Sequence, residues 1–363
     1  MSPHARRGLA RLRPEAARLV RRAGLAPLSY WPAALPGAAP VVEAAWARTL
    51  RRAPAVSVHE HAKDVGVREI EEVTACALCG GEMVQPLFHP AGRTWAYHVV
   101  RCVACGHFFR HPGIRPERLG ELYADQYSRF LTGKYAENRQ RRYVLAMDAF
   151  APLFEDGAGR RLLDYGSGAG LFLEVAHQRG FDGYGVDLSA DSVDVARTRP
   201  GGRNSYVGDP RDVPAISAGG FDVITLWSVL AHLPRPVDDL RMLRELLTPD
   251  GVLLLFTVNA NSLLLKASRS HWGGFTTNHL MVYTPATLAR LLREAGFGAL
   301  VTRPHYGEVV EVGELELRRR TEHRLRRNLA HGNRGHMMRA VAFSDPDGPG
   351  RWGLAADALR LRD

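Results

Sequence analysis

The stretch from Arg161 to Gln178 reads RLLDYGSGAGLFLEVAHQ: an apolar run, a glycine-rich turn and a helical run in direct succession. That order is the strand–turn–helix unit of a parallel sheet, in which ligands meet the carboxyl ends of the strands. Glycines at 166, 168 and 170 let a ligand approach the backbone closely. The dinucleotide fingerprint needs a further glycine at 171, where this chain has Leu171. The acidic residue before the turn, Asp164, favours a cationic ligand, whereas a helix terminus used alone favours a phosphate.

The same alternation continues downstream. Strands are expected at 161–165, 183–187, 205–207, 221–226, 252–258, 298–303 and 337–343, with helices at 170–179, 190–198, 236–247 and 285–295. This pattern is α/β. Asp187 closes the second strand, where a carboxylate holds ribose hydroxyls, and Asp209 follows the third. Each aspartate alone is an ordinary turn former. Three at successive strand ends point into one crevice.

All four cysteines fall in a short module. Cys76 and Cys79 form one CxxC pair and Cys102 and Cys105 a second, with 22 residues between the pairs. Gly80 and Gly106 permit the tight turns that aim backbone N–H groups at thiolates. The spacing is that of a closed Cys₄ structural zinc site, which leaves no position for a catalytic water. Two disulfides are the competing reading and need an oxidising compartment. His89, His98, His107 and His111 lie nearby and are not assigned as ligands.

The 363 residues suggest roughly two domains. The formal net charge is +10, and residues 1–58 hold ten arginines against only Glu15 and Glu43. A nucleic-acid enzyme concentrates such charge around its site, whereas here it sits on a leader. The expected organisation is a basic, Pro/Ala-rich, partly disordered leader (1–70), with a short helix at 14–23 and a linker at 25–40. A zinc ribbon (71–112), a helical lead-in (113–158), the sheet domain (159–345) and a C-terminal tail (346–363) follow. No apolar run reaches the ~18–20 residues of a spanning helix. Arg21-Arg22 is followed by prolines and not by a signal core, so a cytoplasmic protein is expected.

The region from 159 to 343 resembles the class I S-adenosylmethionine-dependent methyltransferases. Asp164 with Gly166, Ser167, Gly168 and Gly170 matches that family's first motif. Asp187 with Leu188 matches its ribose-binding position, and Asp209 the loop facing adenine. FDVITLWSVLAHLPRP (221–236), LTPDGVLLLFTVN (247–259) and HLMVYTPATLARLLREAGF (279–297) resemble later blocks. The resemblance implies a Rossmann-like, seven-stranded sheet with S-adenosylmethionine as cofactor. The cysteine pairs resemble a subgroup that carries an N-terminal zinc ribbon, some of whose members act on sugar nucleotides in natural-product pathways. Two departures stand out: Pro210 lacks the N–H that often contacts adenine, and Ala231 stands where an acidic residue usually precedes the histidine.

His232 is the first candidate for a general base, since imidazole titrates near neutrality; capping of the HLPRP turn is the alternative. Of Tyr123, Tyr127 and Tyr135 in the lead-in, Tyr127 is the candidate to close over the cofactor. His279 is a candidate substrate contact, and Trp227 is expected near adenine or else in the core. The function expected is methyl transfer to a small molecule, a sugar nucleotide or secondary-metabolite scaffold. The alternatives are an RNA methyltransferase, drawing on the leader and the arginines at 318–320, 324, 326 and 327, or a non-catalytic adaptor.

Overall fold

The computed structural model describes residues 38–88, 98–122, 133–272, 274–275, 278–305 and 333–361. The expected helix at 14–23, Tyr123, Tyr127, His89 and the arginine run at 318–327 lie outside these residues.

Within the stretch expected to be a partly disordered leader, residues Ala38–Arg52 and Val58–Val65 are helical. Helix Ala38–Arg52 carries Ala39, Val42, Trp46 and Leu50 at helical spacing into one apolar cluster. Trp46 stacks on Phe108 at 6.2 Å between ring centroids. Arg48, Arg51 and Arg52 face solvent, and their charge is what made the stretch read as a leader. Strand β1 (Val56–Ser57) then leads into helix Val58–Val65. Ser57 Oγ accepts the Glu60 N–H at 3.1 Å, and the Glu60 carboxylate accepts the Ser57 N–H at 3.0 Å. This reciprocal capping fixes the helix start.

The cysteine module contributes β2 (Glu71–Glu72), β3 (Met83–Phe88), β4 (His98–Cys102), β5 (Phe108–His111) and β6 (Gly113–Ile114). Strands β1, β3, β4 and β5 form an antiparallel sheet, and β2 pairs with β6. Of the expected lead-in, Pro116–Leu122 is a 3₁₀ turn and Gly133–Asp148 is α-helical.

The second sheet contains β7 (Arg161–Tyr165), β8 (Asp182–Asp187), β9 (Asn204–Val207), β10 (Phe221–Trp227) and β11 (Leu247–Val258). β12 (Met281–Val282) leaves this series and joins β5 in the other sheet. β13 (Ala299–His305), β14 (Met337–Phe343) and β15 (Ala358–Arg360) complete the chain. The order is β15-β13-β14-β11-β10-β7-β8-β9, with β9 to β11 running parallel and β14 antiparallel to β11. The sheet therefore has eight strands and not the expected seven. The eighth, β15, comes from the segment expected to be a tail and pairs with Ala299–Val301.

Both faces of the sheet are covered. On β10, Ile224 and Leu226 enter the core beneath helices Pro236–Leu246 and Pro285–Glu294. Val223 and Trp227 enter the opposite core with Phe172 of helix Leu171–Gln178 and Met147 of the lead-in helix. The chain runs from β7 outward to β8 and β9, then returns to the other side of β7 as β10. That reversal opens a crevice at the carboxyl ends of β7 and β10. No helix among the described residues is long and apolar enough to cross a membrane.

Candidate functional site

Gly166, Gly168 and Gly170 have φ of 76°, 50° and 74°, the left-handed region that glycine enters without penalty. The turn also leaves no room for side chains. A Cβ on Gly166 would lie 2.4 Å from Val229 Cγ2, and one on Gly170 would lie 2.9 Å from Ala196 Cβ. The N–H groups of Gly166 and Ser167 donate to Val186 O at 2.8 and 3.1 Å, tying the turn to β8.

Two of the three aspartates share the crevice floor. Asp187 Oδ2 accepts the Gly168 N–H at 2.8 Å and Oδ1 accepts the Ser189 N–H at 2.9 Å. Burial raises its pKa against the pull of those N–H groups. Asp164 is fully enclosed, and its Oδ1 accepts the Thr225 hydroxyl at 2.7 Å. Burial pushes it up to about 8, and the neighbouring Asp187 charge adds to the rise.

Asp209 behaves differently. Its carboxylate accepts the Arg211 N–H and Nε–H, both at 2.8 Å, and the Arg211 guanidinium holds its pKa below the usual range. Pro210 is buried at the start of this turn. Gly208 N–H donates to Asp187 O at 3.0 Å and brings the loop to the end of β8. Leu188 is 75% exposed, an apolar side chain standing on the crevice rim.

Ser167 Oγ is buried without a partner among the described protein groups. That orphan hydroxyl, the side-chain-free glycine cradle and the paired carboxylates fit a cationic nucleoside such as S-adenosylmethionine.

Trp227 lies in the core. Its ring packs 4.7 Å from Tyr143, 4.8 Å from Phe172 and 5.9 Å from Phe256, centroid to centroid. Trp227 thus packs within the core cluster that holds Tyr143, Phe172 and Phe256. Tyr135 sits on helix Gly133–Asp148.

His232 ends a 3₁₀ turn that follows β10, and its Nδ1 lies 2.7 Å from Asn278 O. A carbonyl only accepts, so Nδ1 carries the proton and the neutral ring keeps its lone pair on Nε2. Burial lowers the pKa of His232, with the Asn278 and Ser228 carbonyls opposing. His279 stands beside it at 4.8 Å between ring centroids, with Nδ1 2.6 Å from Gly274 O. The two candidate histidines thus share one wall.

Sequence reasoning missed Thr225 and Ser228. Thr225 is a lone hydroxyl in an apolar strand, in register with Asp164, and that oddity was the available signal. Ser228 takes φ 62° immediately after β10, a strained conformation that nothing in the sequence announces.

The four cysteine sulfurs lie within 4.8 Å of one another. Cys76–Cys105 and Cys79–Cys102 are each 3.6 Å apart between Sγ atoms. A tetrahedral ion with ~2.3 Å bonds to sulfur sets edges of about 3.8 Å, so the donor set fits zinc. The thiols already compete for protons: the Cys76 hydrogen bond holds Cys105 down to about 5, while Cys76 is pushed far up. Among the described residues no histidine joins the group. His107 stacks 4.8 Å from Tyr283, and His111 Nδ1 lies 2.8 Å from His61 Nδ1.

A cleft of about 340 Å³ separates the cysteine module from the sheet rim beyond β11. Trp46, Phe108, Cys105, Asn261, Lys266 and Thr287 line it. Lys266 Nζ is held by the Glu43 carboxylate at 2.8 Å and Asn261 Oδ1 at 2.7 Å.

A family described as a methyltransferase domain matches residues 135–301. A ubiquinone biosynthesis O-methyltransferase of Thiobacillus denitrificans is 31% identical over 182 residues, covering 47% of this chain and 77% of that protein. One from Psychrobacter arcticus is 31% identical over 153 residues, covering 39% of this chain and 60% of that protein. The chain thus spans only part of the length of some of its curated relatives. A solved methyltransferase from Archaeoglobus fulgidus is 21% identical, with a TM-score of 0.41 over 56% of this chain and 93% of that one. The matched region contains the glycine turn, Asp164, Asp187 and the His232 wall, and the chain belongs to the class I S-adenosylmethionine-dependent methyltransferases.

Proposed function

We propose that this protein transfers a methyl group from S-adenosylmethionine to a small-molecule acceptor, with His232 as general base. When bound, the cofactor supplies a methyl group already activated on a sulfonium. Gly166, Ser167, Gly168 and Gly170 would cradle it, Asp164 would face its positive charge, and Asp187 would hold its hydroxyls. Asp209, Arg211 and Leu188 would border its base.

The observation that carries the reading is the placement of His232. Its Nδ1 proton is committed to Asn278 O, and burial keeps the ring neutral near pH 7. A neutral imidazole of that tautomer accepts a proton at Nε2. It would take the proton from an acceptor hydroxyl as oxygen bonds to carbon. General-base assistance of this kind contributes ~10²–10⁴-fold. His279 would orient the acceptor from the same wall. The relatives' name, O-methyltransferase, supports a hydroxyl as the nucleophile.

A sugar nucleotide or a secondary-metabolite scaffold is the proposed class of acceptor. Zinc at Cys76, Cys79, Cys102 and Cys105 would hold the module's shape without touching the reacting atoms.

The test is S-adenosylhomocysteine release across a panel of hydroxylated acceptors. His232→Gln should lower kcat by about 10²-fold or more with cofactor affinity unchanged. The wild-type rate should rise with pH on the acid side of the ordinary histidine value of 6.5 and then level off. A His232→Gln enzyme with wild-type kcat ends the base assignment. Steeply salt-dependent RNA binding with turnover on RNA would favour the nucleic-acid alternative.

A further inference from the structure

Residues 278–283 belong to both halves of the molecule. In chain order they lie between β11 and helix Pro285–Glu294. In space β12 is the edge strand of the cysteine-module sheet, with Met281 opposite Phe109 and Val282 opposite Phe108.

The hydrogen bonds run to both sides. Arg110 N–H donates to Leu280 O at 2.8 Å, from the module. Leu280 N–H donates to Ala231 O at 2.8 Å, in the loop after β10. Ala260 N–H, just past β11, donates to Tyr283 O at 2.8 Å. Two residues before Leu280, Asn278 O takes the His232 Nδ1 proton. A single extended segment therefore links β5 to the backbone beside His232 and to the ring itself.

Packing follows the same route. Tyr283 is fully buried against His107, which lies two residues from Cys105. Ala231, Val258 and Val282 share an apolar cluster with Val99 and Phe108 of the module. The glycine turn and the three aspartates are positioned by β7, β8 and β9, none of which pairs with β12.

We propose that residues 278–283 form a positioning strap through which the cysteine module fixes the tautomer and orientation of His232, with Leu280 as its positioning residue. The inference builds on the His232 reading above, but its test reads the ring directly and does not need turnover. Leu280 supplies a donor to one half and an acceptor to the other. Leu280→Pro deletes the donor toward Ala231 and strains the acceptor. Leu280→Ala keeps both backbone groups.

The experiment is nitrogen-15 NMR of histidine-labelled full-length protein saturated with S-adenosylhomocysteine. The His232 signal is assigned by its loss in His232→Gln. Wild type and Leu280→Ala should show the proton on Nδ1. Leu280→Pro should move the proton toward Nε2, the tautomer free imidazole prefers, with S-adenosylhomocysteine affinity by calorimetry within about threefold of wild type. Its kcat should fall by roughly 10²-fold, as expected when a group is displaced by about 1 Å.

Cys79→Ser, which loosens the module without altering the strap's sequence, serves as the second variant and should shift the same signal. A Leu280→Pro or Cys79→Ser protein that retains the Nδ1 proton overturns the proposal. So does loss of S-adenosylhomocysteine binding in both variants, because the module would then support the whole sheet and not the histidine. Full activity of His232→Gln would remove the base assignment and leave the strap measurement standing.

Discussion

Asp164 is a carboxylate placed where ionisation is costly. Burial raises it to about 8 from an ordinary value of 3.8. Between those two values the folded chain holds a proton that the unfolded chain has lost, so stability falls as pH rises through that window. Asp164→Asn removes the slope. Denaturant unfolding at about pH 5 and about pH 8 should show wild type losing more stability than the variant across the interval. A cationic ligand reverses the preference and expels the proton. Calorimetry at neutral pH in buffers of different protonation enthalpy should therefore report release of up to about one proton per cofactor bound. An enthalpy independent of buffer, or one unchanged by Asp164→Asn, removes Asp164 from contact with the charge. Asp187 has a second duty, since its carboxylate accepts the N–H of Gly168 and of Ser189. Asp187→Ala should abolish measurable cofactor binding and also cost about 1–3 kcal/mol of stability, the price of two donors left unpaired. Wild-type affinity in that variant would exclude Asp187 from the site.

The glycine turn works only with the strand beside it. Gly185 on β8 lies under the turn, and a Cβ there would stand 2.7 Å from Ser167 Oγ and 2.9 Å from Leu173 Cδ1. Gly185→Ala should cost about 1–3 kcal/mol by overpacking and weaken cofactor binding by displacing Ser167. A variant with unaltered melting temperature and affinity would mean the turn yields freely. This contact also marks the limit of what the sequence discloses. The strands at 161–165 and 337–343 were readable because short runs rich in apolar residues sit between turn signals, and Asp164 and Asp187 because each lies at the end of such a run. Helix Pro285–Glu294 was readable from its proline start and periodic leucines. β12 and β15 are two and three residues long, too short for any periodicity, and exist only through pairing with distant strands. The helix Ala38–Arg52 was hidden by its arginines, whose charge dominates composition while Trp46 does the packing. Trp227 was ambiguous because its partner Tyr143 comes from a helix far away in sequence.

Two sheets are joined by two apolar clusters, and that sets how the molecule should respond to losing a metal. The module between residues 71 and 112 is too small to bury an independent core. Its inner face is completed by Trp46, Trp272 and Phe275 from outside it. A Cys₄ ion would close the two CxxC turns and so hold β3, β4 and β5 in place. The crevice floor is built from β7 and β8, which hydrogen-bond to none of these strands, although Leu163 and Val186 share an apolar cluster with Val84, Val100 and Phe109. Metal analysis of purified protein should find about one zinc per chain. A strong chelator should lower the melting temperature and red-shift tryptophan emission, as the faces of Trp46 and Trp272 meet water. Affinity for S-adenosylhomocysteine should survive, because Asp164, Asp187 and the glycine turn stay on their own sheet. Cys79→Ser with Cys102→Ser should reproduce the chelated state in the absence of chelator. Protein that carries no zinc, and whose emission and melting are indifferent to both treatments, would refute a structural metal here. The cysteines would then be a packed thiol cluster, and the apolar clusters alone would have to account for the module's fold.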